Sequence, residues 1–300
     1  MSDRSPYAAL VARLPVRQEE VELRGGRTRL WVYGADDAHR VVFVHGLRGD
    51  HHGLEPIVAH LEGTQVVVPD LPGFGASPPL PSARHDLATY AAWTRDLVAA
   101  VAPGGNAVLA GHSFGSIVTA AAVARGATVR GLVLVNPIAA SALDGPRRLM
   151  TGLTVLYHRI SAALPERAGT ALLRNRLMTR VASVTMATTR DRELRRWIHA
   201  EHDRYFSTFA DRKTLLEAFH ASVHHDVAES AYGVGVPTLL VAAERDDIAP
   251  LPAQRALAAR FSDARLAVVP GTGHLAHYEA PAAVAGEIGA FLAALAQRAG

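Results

Sequence analysis

Six short runs of apolar residues, without alternation of polar and apolar positions, recur along the chain. They occupy positions 41–44, 66–68, 107–110, 132–135, 238–241 and 266–269. Strands that are covered on both faces have this composition, because neither face of such a strand meets water. The pattern therefore predicts parallel strands in the interior of a sheet.

Two further segments near the amino terminus predict an antiparallel hairpin at one sheet edge. Positions 16–23 alternate in part, and positions 28–33 follow a turn that contains two glycines. Helical segments are predicted between the strands, at 53–62, 86–102, 114–125, 252–261 and 281–298. Because strands and helices alternate, we expect an α/β fold with a doubly wound, mostly parallel, eight-stranded sheet.

The alternation of strands and helices stops between Pro137 and Gly235. This stretch is rich in Arg and has a helical pattern without a convincing strand. Strands resume after it, so we interpret residues 138–230 as a helical cap inserted into a single α/β core. The core would then consist of residues 1–137 and 231–300.

Composition narrows the class of protein further. The 300 residues include 31 Lys or Arg and 28 Asp or Glu, and the basic residues are scattered, which argues against a nucleic-acid partner. Cysteine is absent, which excludes thiolate nucleophiles, disulfides and Cys-ligated zinc and favours a reducing compartment. The amino terminus has no pattern of an export signal, and the longest apolar stretch, 107–124, is interrupted by His112 and two glycines. We expect a cytoplasmic protein without a membrane span.

Ser113 lies between Gly111 and Gly115, where the strand at 107–110 gives way to a helix. Flanking glycines remove the Cβ atoms that would collide with neighbouring elements, so Gly-x-Ser-x-Gly at such a turn predicts a nucleophile elbow. The first amides of the helix would stabilise an oxyanion next to the hydroxyl. The alternative is a tight strand-to-helix joint in which Ser113 only caps the helix.

A serine nucleophile needs a base, and the base needs an orienting acid. Asp246 follows the strand at 238–241, and His274 follows the strand at 266–269 in a Gly-rich loop. Both leave the carboxyl ends of strands, which form the edge where open parallel sheets bind ligands. The chain order of Ser, acid and His is the order expected for an elbow of this type.

Five motifs in register resemble those of the α/β-hydrolase fold family, and the similarity extends over residues 20–298. The motifs are Phe43-Val44-His45-Gly46-Leu47-Arg48-Gly49, Pro69-Asp70-Leu71-Pro72-Gly73-Phe74-Gly75-Ala76-Ser77, Gly111-His112-Ser113-Phe114-Gly115, Ala243-Glu244-Arg245-Asp246-Asp247-Ile248-Ala249-Pro250 and Gly273-His274-Leu275-Ala276-His277-Tyr278-Glu279-Ala280-Pro281. The resemblance implies Ser113 as nucleophile, His274 as general base and Asp246 as its partner. It also implies an oxyanion hole made by the backbone amides of Leu47 and Phe114, and it implies no cofactor.

Several residues compete for these roles. Asp247 adjoins Asp246, but the family spacing of an acid four residues before Pro250 selects Asp246. Some relatives place the acid after the strand that precedes the cap, and this strand ends here at Asn136. Dehalogenase and epoxide hydrolase relatives carry Asp at the elbow, so Ser113 disfavours both of these chemistries.

Other conspicuous residues receive simpler interpretations. The pairs His51-His52 and His224-His225 lack a spaced carboxylate and form a weak zinc signal, so no metal is expected. The cap carries a net charge of +4, which is explained by a helix face exposed to solvent. The alternative is an Arg that points into the pocket and binds a carboxylate there. The apolar run at 149–157 is expected to pack on the core or roof the pocket rather than contact a membrane.

The leading functional hypothesis is hydrolysis through an acyl-serine. The expected substrate is a small, largely apolar carboxylic ester, thioester or lactone. One alternative is hydrolysis of a carbon–carbon bond, which related capped enzymes perform, although His112 replaces the Asn that is common in that group. A second alternative is a non-catalytic, receptor-like binding protein, which loss of a triad residue would favour.

Overall fold

The computed structural model describes residues 5–36, 39–140 and 148–299, and its centre is one eight-stranded sheet. The strands are β1 (Val16–Leu23), β2 (Gly26–Tyr33), β3 (His39–Val44), β4 (Thr64–Pro69), β5 (Val108–His112), β6 (Gly131–Val135), β7 (Thr238–Ala243) and β8 (Ala264–Val269). Their spatial order is β1-β2-β4-β3-β5-β6-β7-β8. The β1–β2 and β2–β4 pairs are antiparallel and the other pairs are parallel. The predicted hairpin, the six apolar strands and the mostly parallel sheet are confirmed.

Helices cover both faces of the sheet. They are α1 (Ala8–Val11), a 3₁₀ turn (His51–Gly53), α2 (Glu55–Val58), α3 (Leu87–Val101), α4 (Phe114–Ala124), α5 (Arg148–Ala163), α6 (Glu166–Leu173), α7 (Arg176–Met186), α8 (Arg192–Tyr205), α9 (Arg212–His224), α10 (Ala228–Ala231), α11 (Leu251–Ala258), α12 (Ala276–Glu279) and α13 (Pro281–Ala299). The helix predicted at 53–62 is shorter: a 3₁₀ turn precedes α2, and α2 ends at Val58. No helix in the described ranges is both long and apolar enough to cross a membrane.

Alternate residues of β3 show why its sequence is apolar throughout. Val42 and Val44 belong to a core cluster that includes side chains of α3 and α4. Val41 and Phe43 belong to a second cluster that includes side chains of α2 and α13. Successive side chains of a strand point to opposite faces, so the strand has two apolar faces to bury.

Helices α5 to α9 lie between β6 and β7 in the chain, and we call them the helical insertion. Helix α10, which the sequence interpretation placed partly inside the cap, packs instead against α4 of the core. The backbone amide of Val227 donates to the Ile138 carbonyl, so the two ends of the inserted segment meet at the core. Residues 141–147 lie outside the described residues.

Candidate active site

The backbone at Ser113 is strained in the way an elbow requires. Ser113 joins β5 to α4 with φ 52° and ψ −119°, a conformation that non-glycine residues rarely adopt. A Cβ on Gly111 would lie 2.3 Å from the Gly115 carbonyl oxygen, and one on Gly115 would lie 2.4 Å from that of Val44. The two glycines therefore permit the close approach of β3, β5 and α4.

The Ser113 side chain does not cap α4. Its Oγ instead lies 2.8 Å from Nε2 of His274, which follows β8. The interpretation of Ser113 as only a helix cap is therefore wrong. The hydroxyl is directed across the carboxyl edge of the sheet.

His274 lies between Ser113 and Asp246 in one chain of hydrogen bonds. Its Nδ1 lies 2.8 Å from Oδ2 of Asp246, and both side chains are buried. Asp247, the sequence rival, has an exposed side chain. The structure thus brings together the three residues that the sequence selected, and the His ring is held at both nitrogens.

The carboxylate of Asp246 is held by four donors. Oδ1 accepts the amides of Ile248 and Ala249 at 2.8 and 3.0 Å, and Oδ2 accepts from Asn136 Nδ2 at 2.9 Å as well as from His274. Burial opposes ionisation, but the charge and hydrogen bonds of these neighbours outweigh it and lower the pKa of Asp246. The carboxylate stays ionised and fixed in orientation.

Asn136 is a site residue that the sequence analysis noted only as the end of a strand. It is fully buried directly after β6 and has a φ of 45°. Asn tolerates this left-handed conformation better than most residues, which is the one sequence signal for the position. Its amide orients the acid from the neighbouring strand end.

The turn after β3 lies against the elbow. A Cβ on Gly46 would lie 3.3 Å from the Ser113 Cβ, so glycine lets the turn approach closely. Within the described residues, the amide N–H groups of Leu47 and Phe114 donate to no protein acceptor. These are the two donors that the resemblance implied for an oxyanion hole, and both stay available to a ligand.

His45 fixes this turn to the loop after β4. The Leu71 amide donates to His45 Nε2 at 2.9 Å, so Nδ1 carries the proton and donates to the Gly46 carbonyl at 2.8 Å. Burial lowers the pKa of His45, which keeps the ring neutral and suits this tautomer. His45 therefore shapes the turn.

Arg48 joins the same turn to the helical insertion. Its Nε donates to the Phe206 carbonyl at 2.9 Å and its Nη2 to the Leu173 carbonyl at 2.7 Å, at the carboxyl ends of α8 and α6. The guanidinium also lies 5.5 Å from the centre of the Phe206 ring. Burial lowers the pKa of Arg48 to about 10, so it keeps its charge at neutral pH. The sequence analysis mentioned Arg48 only as a member of the motif at 43–49.

Two further imidazoles lie behind His274. The His112 ring centre is 5.8 Å from that of His274 and 4.0 Å from that of His277. Burial, followed by the charge of His274, lowers the pKa of His112 to about 3, and burial also lowers that of His277. Both rings are neutral at pH 7 and add no charge beside the site.

The His51-His52 pair lies beside Asp50 and Asp70, whose carboxylates are the hydrogen-bond partners of the two rings. With Asp50 it forms a group whose ligand atoms lie within 4.8 Å of one another. Each Nδ1, however, already bonds a carboxylate: His51 to Asp70 at 3.0 Å and His52 to Asp50 at 3.1 Å. A cleft of 590 Å³ borders this pair, and Ser113 is not among its lining residues. Of the second pair, His225 bonds Glu229 and His224 bonds a carbonyl of its own helix.

The chain is similar to known proteins over most of its length. Residues 41–287 match the model of the alpha/beta hydrolase family. Similar solved structures include a putative lipase from Acinetobacter baumannii AYE, with 16% identity over 94% of this chain and 93% of that chain and a TM-score of 0.75. A thermophilic esterase from Thermogutta terrifontis has 22% identity, coverage of 93% and 99%, and a TM-score of 0.72. An enol-lactonase from Burkholderia xenovorans LB400 has 21% identity, coverage of 92% and 100%, and a TM-score of 0.71. At these identities the three structures show a shared fold, and the match to the family model shows that the chain belongs to the alpha/beta hydrolase family, as its motifs predicted.

Proposed function

We propose that this chain is a serine hydrolase that cleaves a small carboxylic ester, thioester or lactone through an acyl-serine intermediate. The observation that carries the proposal is the unbroken chain from Ser113 Oγ through His274 to Asp246, with both hydrogen bonds at 2.8 Å. A hydroxyl, a base and an orienting acid in this arrangement form the unit that nucleophilic catalysis requires.

In acylation, Ser113 Oγ attacks the substrate carbonyl carbon while His274 Nε2 takes the hydroxyl proton. The carbonyl oxygen becomes an oxyanion and accepts hydrogen bonds from the backbone amides of Leu47 and Phe114. The tetrahedral intermediate then collapses, and His274 gives the proton to the leaving alcohol or thiol. With a lactone, the leaving hydroxyl stays attached to the acyl chain.

In deacylation, a water molecule takes the place of the leaving group. His274 accepts a proton from this water as its oxygen attacks the acyl carbon, and the same two amides hold the second oxyanion. Collapse breaks the bond to Ser113 Oγ, which recovers its proton from His274. Asp246 remains ionised throughout and stabilises the imidazolium in both half-reactions.

The helical insertion, α5 to α9, is proposed to act as the cap over this site. The domain boundaries expected from the sequence, 138–230 for the cap and 1–137 with 231–300 for the core, are kept in this proposal except that α10 is assigned to the core. Its contacts with the core support this role. Glu279, which follows the His274 loop, accepts the backbone amides of Thr188 and Thr189 at 2.6 and 2.8 Å. The Gly75 amide donates to the Thr208 carbonyl, which joins the loop after β4 to the insertion. A largely apolar small substrate would bind between the two layers.

The test is labelling of purified protein with a fluorophosphonate, followed by intact-mass and peptide analysis. We expect one adduct per chain on Ser113, together with loss of hydrolysis of a p-nitrophenyl butyrate substrate. Ser113→Ala should abolish both labelling and turnover. Ser222→Ala, at a half-buried hydroxyl that bonds the Phe219 carbonyl, serves as the matched control and should retain both. Folded protein that neither labels nor turns over any ester would favour the receptor-like alternative.

A further inference from the structure

Helix α5 turns apolar side chains outward along its length. Five of them are 48–80% exposed: Leu149 80%, Met150 51%, Leu153 59%, Leu156 51% and Ile160 48%. Leu149, Leu153, Leu156 and Ile160 are spaced by three or four residues and form one stripe, and Met150 lies beside it. The expectation that the run at 149–157 packs on the core or roofs the pocket is wrong for Leu149, Met150, Leu153 and Leu156, whereas Tyr157 does pack against the core. Only the opposite side of the helix, at His158 and Ser161, is buried.

Helix α7 repeats this arrangement. Leu177, Val181 and Val184 are 69%, 47% and 57% exposed, at spacings of four and three residues. Thr179 and Ser183, on another side of α7, are buried. Of thirteen exposed large apolar side chains in the described ranges, ten lie between residues 149 and 184. Such a concentration differs from the scattered apolar residues of ordinary surfaces and marks an interaction site.

The same segment has a net positive charge, whereas the rest of the chain has a net negative charge. Residues 147–190 contain eight Arg and a single acidic residue, Glu166, for a net charge of +7. The other 256 residues contain 23 basic and 27 acidic residues, a net charge of −4. Arg159, Arg167 and Arg176 are exposed and form no ion pair with any residue that the structure describes. The segment that bears the outward apolar stripes is therefore basic and exposes several of its arginines.

We propose that the outward faces of α5 and α7 dock this protein on the surface of an anionic lipid bilayer. Helices that lie in a membrane interface combine an apolar stripe with basic residues that bind lipid phosphates. The 16 residues of α5 form a helix about 24 Å long, which is suited to lie in the plane of the interface. This proposal is independent of the catalytic one.

The charge also argues against the other obvious occupant, a second copy of this chain. Two copies that met through α5 and α7 would bring together two segments with a net charge of +7 each, and each segment has only one acidic residue, Glu166, among its described residues. An anionic bilayer satisfies both features, because acyl chains receive the apolar residues while headgroups neutralise the arginines.

The test is co-sedimentation of the full chain with vesicles of phosphatidylcholine alone and of phosphatidylcholine mixed with phosphatidylglycerol. We expect binding to the anionic vesicles, weakened by added salt, and little binding to the neutral ones. The double variant Leu153→Ser/Leu156→Ser should lower the partition coefficient at least ~10-fold. Val16→Ser/Tyr232→Ser, at apolar residues with 54% and 81% exposure elsewhere, is the matched control and should bind as the unchanged protein does.

Charge is tested separately. Arg159→Gln and Arg176→Gln should each lower binding to the anionic vesicles about fivefold, whereas Arg255→Gln, at an exposed position outside the segment, should not. Thermal unfolding checks that every variant is folded, which is expected because the changed side chains are exposed. The proposal is overturned if the folded protein binds neither vesicle at low salt. It is also overturned if light scattering finds a dimer that Leu153→Ser/Leu156→Ser dissociates, since the stripes would then belong to an interface between copies.

Discussion

Asn136 donates a hydrogen bond at 2.9 Å to Oδ2 of Asp246, the same oxygen that lies 2.8 Å from His274 Nδ1. The two residues follow the neighbouring parallel strands β6 and β7, so the sheet itself fixes their separation. Asn136 occupies the strand end where some relatives place the acid. In this chain the residue at that position is not the acid but donates a hydrogen bond to it.

Asn136→Ala is expected to reduce kcat about tenfold, because the carboxylate of Asp246 loses a donor that fixes its orientation toward His274. The loss should be smaller than that of Asp246→Asn, which removes the carboxylate charge. Steady-state hydrolysis of p-nitrophenyl butyrate measures both. Combining the two changes should cost little more than Asp246→Asn alone, and fully additive losses would show that Asn136 acts through some other group.

The two adjacent acids are separable by the same assay. Asp246→Asn should lower kcat on the order of 10⁴-fold, because His274 loses the carboxylate that selects its tautomer and stabilises its charged form. Asp247→Asn changes an exposed side chain and should alter kcat less than about threefold. Equal losses in the two variants would assign the orienting role to the loop as a whole.

The core of the fold was predictable because its strands are buried on both faces. Runs such as 41–44 and 238–241 are apolar throughout. At Gly111 and Gly115 of the elbow, a Cβ atom would collide with neighbouring backbone atoms, so glycine is required there. The triad followed from the requirement that a hydroxyl has a base and the base an acid, in loops at strand ends. The strands, the elbow and the triad could be inferred because each depends on residue types and spacings that are visible in the sequence.

The helical insertion was less predictable for a physical reason. Amphipathic spacing shows that a helix has an apolar stripe, but it does not identify what covers the stripe. Helix α5 turns its stripe to the solvent, and the sequence analysis expected the opposite. The contacts of Arg48 with Leu173 and Phe206 join residues more than a hundred positions apart, and no spacing in the sequence reports such a contact.

Arg48→Met should destabilise the protein by about 3 kcal/mol, because two hydrogen bonds from a charged donor to the carbonyls of Leu173 and Phe206 are lost. It should also lower kcat, since the turn that carries the Leu47 amide loses its attachment to the insertion. Urea unfolding and ester hydrolysis measure the two effects. Arg298→Met, which breaks an exposed ion pair with Asp263, is the matched control and should cost less than about 1 kcal/mol.

Arg48→Lys separates charge from geometry. A lysine keeps the positive charge, but its single ammonium group lacks the planar fork that reaches the Phe206 and Leu173 carbonyls together. We therefore expect a stability between those of the unchanged protein and Arg48→Met. A lysine variant as stable and active as the original would indicate that charge alone holds the turn.

Buried histidines should make the stability of the fold depend on pH below neutrality. Burial is the main cause that lowers the pKa of His112 and His202 to about 3 and that of His158 to about 4. An unfolded His has a pKa of about 6.5, so between pH 6.5 and these folded values the unfolded chain binds protons that the native protein does not. The stabilising contribution is complete above pH 6.5 and is lost as the pH falls. Each such His should cost about 2 kcal/mol between pH 6.5 and 5.

His158→Phe tests this pH dependence away from the triad. His158 stacks on Phe219 at 3.6 Å, its Nδ1 donates to the Thr154 carbonyl at 2.8 Å, and its Nε2 is buried without a partner among the described residues. A phenyl ring keeps the stacking but loses the Nδ1 hydrogen bond, so we expect a cost of about 1 kcal/mol at pH 7.5. Urea unfolding at pH 7.5, 6.5 and 5 should then show a loss about 2 kcal/mol smaller than in the unchanged protein. His39→Phe, at an exposed position, serves as the control and should leave the pH dependence as it was. If His158→Phe also left it unchanged, the ring would take up its proton inside the folded protein, and the acid sensitivity would have to come from the remaining buried histidines.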